Sequence, residues 1–295
     1  MTELLTLSSG RLTAEISPLG AELRRLADVD GREWLWDGDP AFWSGRAPLL
    51  FPVVGSVAGG VIREAGVAYP MPKHGFVRNR PLELVAQSEC SVTFRLTADD
   101  ETRAAYPHEF VFEIVYTLAD TALIQTVTVR NPGATPLPVS FGFHPALRWP
   151  LPTGGGREDH LIRFGEAEPW PLRRIDGDGL IAPESETTPV EGRDLALADA
   201  LFEADAMIWD RLDSRSLWYG APGHPGVAVD FPDMPQLGIW TKPGAGYLCI
   251  EPWQGHADPA GHDGDFADKP GVVTIDPGSS RQFTMAMAIG AEMPE

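Results

Sequence analysis

Residues 110–130 read FVFEIVYTLADTALIQTVTVR, and their alternation decides the fold class. Phe110, Phe112, Ile114, Tyr116 and Leu118 fall on every second position, the period of a strand with one buried face. After the short link Ala119-Asp120-Thr121, residues 122–130 alternate again, as a hairpin partner should. The same period recurs on either side. Residues 11–18 set Leu12, Ala14 and Ile16 against Thr13, Glu15 and Ser17, and Asp30-Gly31 marks a hairpin between residues 22–29 and 33–36. Further strands are expected at 92–97, 138–143, 227–231, 237–241, 246–253, 272–275 and 281–289. Helical signal is confined to residues 194–205, rich in Ala and Leu. The chain has 31 Gly and 28 Pro, a fifth of its 295 residues, spread along the whole length as turns between short strands require. The loop-rich stretch 152–189 is no boundary, because the strands on both sides need each other for a core. One all-β domain, a large antiparallel sandwich over residues 1–295, is the physical reading.

Composition removes several function classes. With 43% apolar and 22% charged residues the chain can bury a large core. A net charge of −19 opposes nucleic acid and anionic membrane surfaces as partners. There is no signal-peptide pattern at the start and no apolar run of membrane-spanning length, so a cytoplasmic protein is expected. Cys90 and Cys249, 159 residues apart, form neither a disulfide framework nor a metal motif, and both read as small buried thiols.

Three segments carry chemistry-bearing residues. In PVSFGFHP, residues 138–145, Phe141 and Phe143 face the core, while Ser140, Gly142 and His144 share the other face, where the bare glycine leaves room for a ligand. In GYLCIEPW, residues 246–253, Leu248 and Ile250 point inward; Tyr247, Cys249, Glu251 and Trp253 point the other way. A carboxylate between an indole and a thiol is poorly solvated, so its pKa should rise and make it a better proton acceptor. In PMPKHGFVRNR, residues 70–80, the prolines force an extended loop and Gly75 allows close backbone approach at His74. Lys73, Arg78 and Arg80 make this the most basic short stretch of an acidic chain. Each segment also has a bland reading: a strand-end histidine without a role, a glutamate paired to an arginine, a solvated turn.

Other patterns carry less. His256, Asp258 and His262 can be drawn as metal ligands, but they sit in a Gly/Pro/Asp-rich loop without helical spacing, and no metal is expected. His108 reads as a surface residue, and His160 and His224 as loop residues without partners. No GxGxxG, Walker loop or GxSxG is present, so nucleotide and serine-hydrolase chemistry have no support.

Taken together, KHGF at residues 73–76, FGFHP at 141–145 and IEPW at 250–253 resemble the aldose 1-epimerase (galactose mutarotase-like) family, in particular its LacX-related bacterial branch. PLLFPVVG at 48–55 and FEADAMIWDRLDSRS at 202–216 add to the likeness, which spans roughly residues 12–289. The resemblance implies a β-supersandwich, no cofactor, a small sugar as partner, a monomer or homodimer, and interconversion of the α and β anomers of free sugars. It assigns Glu251 as general base, His144 as general acid and His74 as the second active-site histidine. Asp205 would bind sugar hydroxyls; Arg78, Arg46 and Trp253 complete the expected substrate contacts. Two positions depart from the branch: Ser56 where an arginine is common, and Arg148 where asparagine is common.

The chemistry agrees with that assignment. Opening a hemiacetal ring takes the proton from the C1 hydroxyl while the ring oxygen gains one, and a carboxylate and an imidazolium on opposite sides of the ring would serve. Three alternatives stand beside it. A non-catalytic sugar-binding module has no need of an acid–base pair. A mutarotase of a hexose 6-phosphate or other anionic sugar needs a cationic pocket, for which Lys73, Arg78, Arg46 and Arg148 are the candidates. An inverting hydrolase needs two carboxylates, and only Asp205 is available to pair with Glu251.

Overall fold

The computed structural model describes residues 3–295. Two large antiparallel sheets dominate it. The first runs in spatial order Asp194–Ala196, Leu161–Phe164, Ser216–Gly220, Gly226–Asp230, Ser280–Ala291, Ala122–Arg130, Val111–Ala119, Ser91–Thr97, Glu83–Gln87. The second runs Ile181–Glu186, Leu172–Ile175, Met207–Trp209, Gln236–Trp240, Tyr247–Gln254, Phe141–Phe143, Leu49–Leu50, with Ala146–Arg148 also paired to Tyr247–Gln254. A three-stranded sheet, Leu5–Ser8, Leu12–Ile16 and Leu23–Asp28, and two strand pairs complete the β structure.

The hairpin of the opening stretch forms as its period dictates. Val115 lies opposite Thr126, and Phe112, Ile114, Tyr116, Leu123, Val127 and Val129 are buried in alternation with half-exposed neighbours. Their apolar face meets the second sheet. The Phe141 ring lies 6.0 Å from Phe112 and stacks on Phe283 at 5.2 Å, closing the core between the layers. Leu248 and Ile250 join that core from the strand carrying Glu251, so Cys249, Glu251 and Trp253 turn to its other face, as alternation requires.

Several expectations change. Residues 138–143 are not one strand: Leu137–Val139 pairs with Val273–Ile275, and Phe141–Phe143 crosses into the second sheet, so one apolar run serves two layers. Residues 194–205 form the strand Asp194–Ala196 and a single 3-10 turn, Asp199–Phe202, because pairing with Leu161–Phe164 overrides the weak helical propensity. The stretch 152–189 contributes three strands to the two sheets. Cys90 is exposed in the turn between Glu83–Gln87 and Ser91–Thr97; Cys249 is buried. His108 is buried against Tyr106 with Nε2 3.0 Å from Glu64, and the buried His160 accepts from the Leu151 amide. Among the described residues no helix is long and apolar enough to cross a membrane.

Candidate active site

The strand register builds the centre of the site. Gly142 lies opposite Trp253 and Ala146 opposite Cys249, which sets His144 directly opposite Glu251. Directly opposed side chains on one face of an antiparallel pair lie about 4.5–5.5 Å apart at Cβ, close enough for an imidazole and a carboxylate to touch. His144 Nε2 and Glu251 Oε2 are 3.1 Å apart. The gap expected between them, wide enough for a sugar ring, does not exist.

Gly142 leaves space for a different tenant than expected. A Cβ there would come within 2.5 Å of Trp253 Cδ1, and one at Gly238, on the other neighbouring strand, within 2.4 Å of the far edge of the same ring. The two glycines therefore seat the Trp253 indole flat across the sheet beside Glu251. The indole, rather than the bare backbone of Gly142, lines the cleft there.

His74 reaches the pair from the loop after Val67–Pro70. Its backbone is in the left-handed region, φ 67°, and its amide donates to the Gly55 carbonyl at 2.8 Å. The Gly55 amide donates in return to His74 Nδ1 at 3.1 Å, which leaves the ring proton of the neutral imidazole on Nε2. The turn depends on Gly75, φ 70°, where a Cβ would lie 2.0 Å from the Phe51 carbonyl oxygen. The His74 ring stands edge-on to His144, centroids 5.7 Å apart.

A cleft of about 150 Å³ opens over these groups, and Glu251, His144, His74, Asp205 and Trp253 all line it. Asp205 sits in a strained turn, φ 66°, its carbonyl held by Arg174 Nη1 at 2.9 Å. Lys73, Trp43 and Trp240 also line the cleft. Trp43 lies across the His144 ring at 5.0 Å and Trp240 is edge-on to Trp43 at 5.6 Å, so aromatic faces flank the polar pair. Trp43 carried no signal in the sequence: it stands in an irregular loop, fixed by its carbonyl accepting from Trp36 Nε1 at 2.8 Å.

The remaining cations are engaged elsewhere. Arg78 does not line the cleft; its Nη2 donates to the Lys73 carbonyl at 2.9 Å, so it braces the loop carrying Lys73 and His74. Arg46 also stands outside, its guanidinium donating to the Arg24 carbonyl and its amide to Glu22. Arg148 reaches toward Asp37 at 3.5 Å.

Burial governs the electrostatics. It pushes Glu251 well above the usual carboxylate range, with the Lys73 charge opposing and the Asp205 charge adding to the rise. Burial likewise lowers His144 to about 3 and takes His74 well below its ordinary value, the latter helped by the neighbouring His144, Lys73 and Arg78. Burial therefore favours the uncharged pair, a carboxyl beside a neutral imidazole. Among the described residues the three donors His144, Cys249 and Glu251 form the one metal-type group, their ligand atoms all within 4.8 Å. His256, Asp258 and His262 do not form another: Asp258 is engaged by the buried Lys269 at 2.9 Å and by the Ala58 amide.

Comparison with known proteins agrees over the full length. The family model described as aldose 1-epimerase matches residues 3–287. The chromosomal LacX protein of Lactococcus lactis subsp. lactis is 32% identical over 283 residues, covering 92% of this chain and 95% of the relative. A galactose mutarotase related enzyme from Lactobacillus acidophilus superposes with a TM-score of 0.89 at 28% identity, covering 99% of both chains. A galactose mutarotase-like protein from Lactobacillus casei ATCC 334 gives 0.90 at 29%, covering 97% of this chain and all of that one.

Proposed function

The chain belongs to the aldose 1-epimerase family, and from that premise we propose that it interconverts the α and β anomers of a neutral aldohexose by general acid–base ring opening at Glu251 and His144. The observation that carries the reading is their 3.1 Å contact on the floor of the cleft. The two oxygens that exchange protons in the reaction are both bonded to C1 and lie closer together than a hydrogen bond is long. Adjacent groups therefore meet them from one side, and the opposed arrangement expected from the sequence is unnecessary.

One shared proton is what the reaction needs. With the carboxylate charged and the imidazole protonated, Glu251 takes the C1 hydroxyl proton as His144 protonates the ring oxygen, and the C1–O bond to the ring breaks. The pair is left as carboxylic acid and neutral imidazole, the form that burial favours. Rotation about C1–C2 turns the other face of the aldehyde toward the site. Glu251 then returns its proton to the aldehyde oxygen and His144 takes the proton of the attacking hydroxyl, closing the other anomer. Lys73, whose charge favours the Glu251 carboxylate, and the sugar's own oxygens offset the cost of charging the pair before opening. His74, holding a proton on Nε2, and Asp205 are assigned to the sugar hydroxyls, Trp253 and Trp43 to its C–H faces.

A neutral sugar is favoured over a phosphorylated one because only Lys73, of the four cationic candidates, lines the cleft. The two unpaired cysteines suit a reducing, cytoplasmic setting. The test is anomer exchange followed by NMR with the α-anomers of glucose, galactose and glucose 6-phosphate, in buffer containing EDTA. Exchange of a neutral hexose well above the buffer rate is expected. Faster exchange of the phosphate would reverse the substrate assignment, and no acceleration of any sugar would favour the binding module.

A further inference from the structure

Cys249 takes no part in the proton transfers above and does not line the cleft, yet its buried sulfur completes a group of three metal-type donors with His144 and Glu251. The strand geometry accounts for this. Cys249 and Glu251 are two residues apart on one strand and share a face, and His144 opposes Glu251 from the next. All three are buried, and the cysteine is a free thiol. We propose that His144, Cys249 and Glu251 bind one thiophilic divalent cation, Zn²⁺ or its analogue Cd²⁺, and that its occupancy closes the site to sugar.

The donor set fits that class of ion. Zinc takes sulfur at about 2.3 Å, imidazole nitrogen at about 2.0–2.1 Å and carboxylate oxygen at about 2.0–2.2 Å. The donors of such a tetrahedron therefore stand about 3.3–3.8 Å apart. Here His144 and Glu251 are already 3.1 Å apart and no pair of donors exceeds 4.8 Å, so side-chain adjustments suffice. His144 and Glu251 both line the cleft, which leaves the fourth position facing it, open to water. Magnesium and calcium demand six or more oxygens and find one carboxylate here, so neither competes. The Cys249 thiol and the Glu251 carboxyl each give up a proton to solvent on binding, and the ion's charge then balances thiolate and carboxylate in a dry site. Bound to the ion, His144 has no ring lone pair left to move a proton, and the metal charge makes the Glu251 carboxylate a far weaker base. Only the loss of activity rests on the anomer-exchange reading; the binding does not.

The experiment starts from protein stripped with EDTA and exchanged into chelator-free buffer. Cd²⁺ is titrated by its near-ultraviolet thiolate absorption and Zn²⁺ by calorimetry. One ion per chain is expected, with no response to Mg²⁺ and competitive loss of sugar exchange where exchange is present. Cys90→Ser, at the exposed thiol, should change nothing. Cys249→Ser should abolish the Cd²⁺ absorption and weaken Zn²⁺ at least tenfold, as should Glu251→Gln for Zn²⁺. Loss of the absorption in Cys90→Ser would place the ion on the surface thiol and overturn the proposal, as would undiminished Zn²⁺ affinity in Cys249→Ser. Should Cys249→Ser fail to fold, Glu251→Gln decides: unchanged Zn²⁺ affinity overturns the site. A protein that binds one Zn²⁺ through Cys249 but exchanges no sugar would sink the functional reading and leave this site standing.

Discussion

In the proposed mechanism Glu251 and His144, 3.1 Å apart, work on one shared proton, so removing either should cost nearly the same as removing both. A positioned acid or base contributes about 10²–10⁴-fold to a proton-transfer step. Glu251→Gln keeps the shape of the side chain and its packing against Trp253 but cannot accept the C1 proton; His144→Asn cannot supply the ring-oxygen proton. Each is expected to lower kcat by about 10²-fold or more, about 2.7 kcal/mol of transition-state stabilisation at the lower figure. Independent contributions would multiply to about 10⁴-fold in the double variant. Coupled ones will leave it within a few-fold of the worse single variant, because either loss already breaks the concerted transfer. Affinity for sugar, measured by calorimetry, should change little, since the pair acts mainly in the transition state. NMR exchange rates on the two single variants and the double, beside wild type, read the coupling directly. A Glu251→Gln protein exchanging at the wild-type rate would refute the assignment, and fully multiplicative losses would refute the shared proton.

Three further outcomes follow from the same geometry. Gly142→Ala drives a Cβ within 2.5 Å of the Trp253 ring, so it should displace the indole, raise KM several-fold and alter the tryptophan emission; an unchanged KM would mean Trp253 does not touch sugar. Lys269→Met leaves Asp258 buried without its 2.9 Å partner and should cost about 3–5 kcal/mol in urea unfolding, most of it regained in a Lys269→Met, Asp258→Leu double variant. His74 stays neutral in the fold with its pKa well below 6.5, so between the two values the unfolded chain holds a proton that the native state lacks. Its contribution to stability is then complete above about pH 6.5 and is lost toward acid at about 1.4 kcal/mol per pH unit. His74→Asn should flatten the dependence of urea stability on pH between 7 and 5 by one proton, and an unaltered slope would show that His74 protonates in place.

The corrections to individual histidines, arginines and Gly142 share one cause: each concerns what lies beside the residue rather than which way it faces. The resemblance and their charge both point to Arg46 and Arg78 as site residues, but the backbone carbonyls of Arg24 and Lys73 claim their guanidinium groups. Gly142 was read as open space because its own side chain is absent, but the neighbouring strand fills that space with Trp253. Trp43 lies in a loop with no period, so only the folded chain reveals that it covers His144. His108 and His160, set aside as surface or unpartnered residues, are buried and satisfied by groups that no local pattern identifies.

By itself the sequence determined the class of fold and the side of each strand. A period of two needs no neighbour to be seen, and it turned Leu248 and Ile250 toward the core and Cys249, Glu251 and Trp253 away from it. It also carried the low solvation of Glu251, because the thiol and indole that flank it are local in the chain. Register is different: it depends on which strands become neighbours and how far each slides along the next. Only the tertiary structure set His144 opposite Glu251 at 3.1 Å, brought His74 in through Gly55 and Asp205 across the cleft, and kept three of four cations out of it. Residues more than a hundred positions apart meet there through backbone pairing, and nothing in the order of residues along the chain encodes that distance.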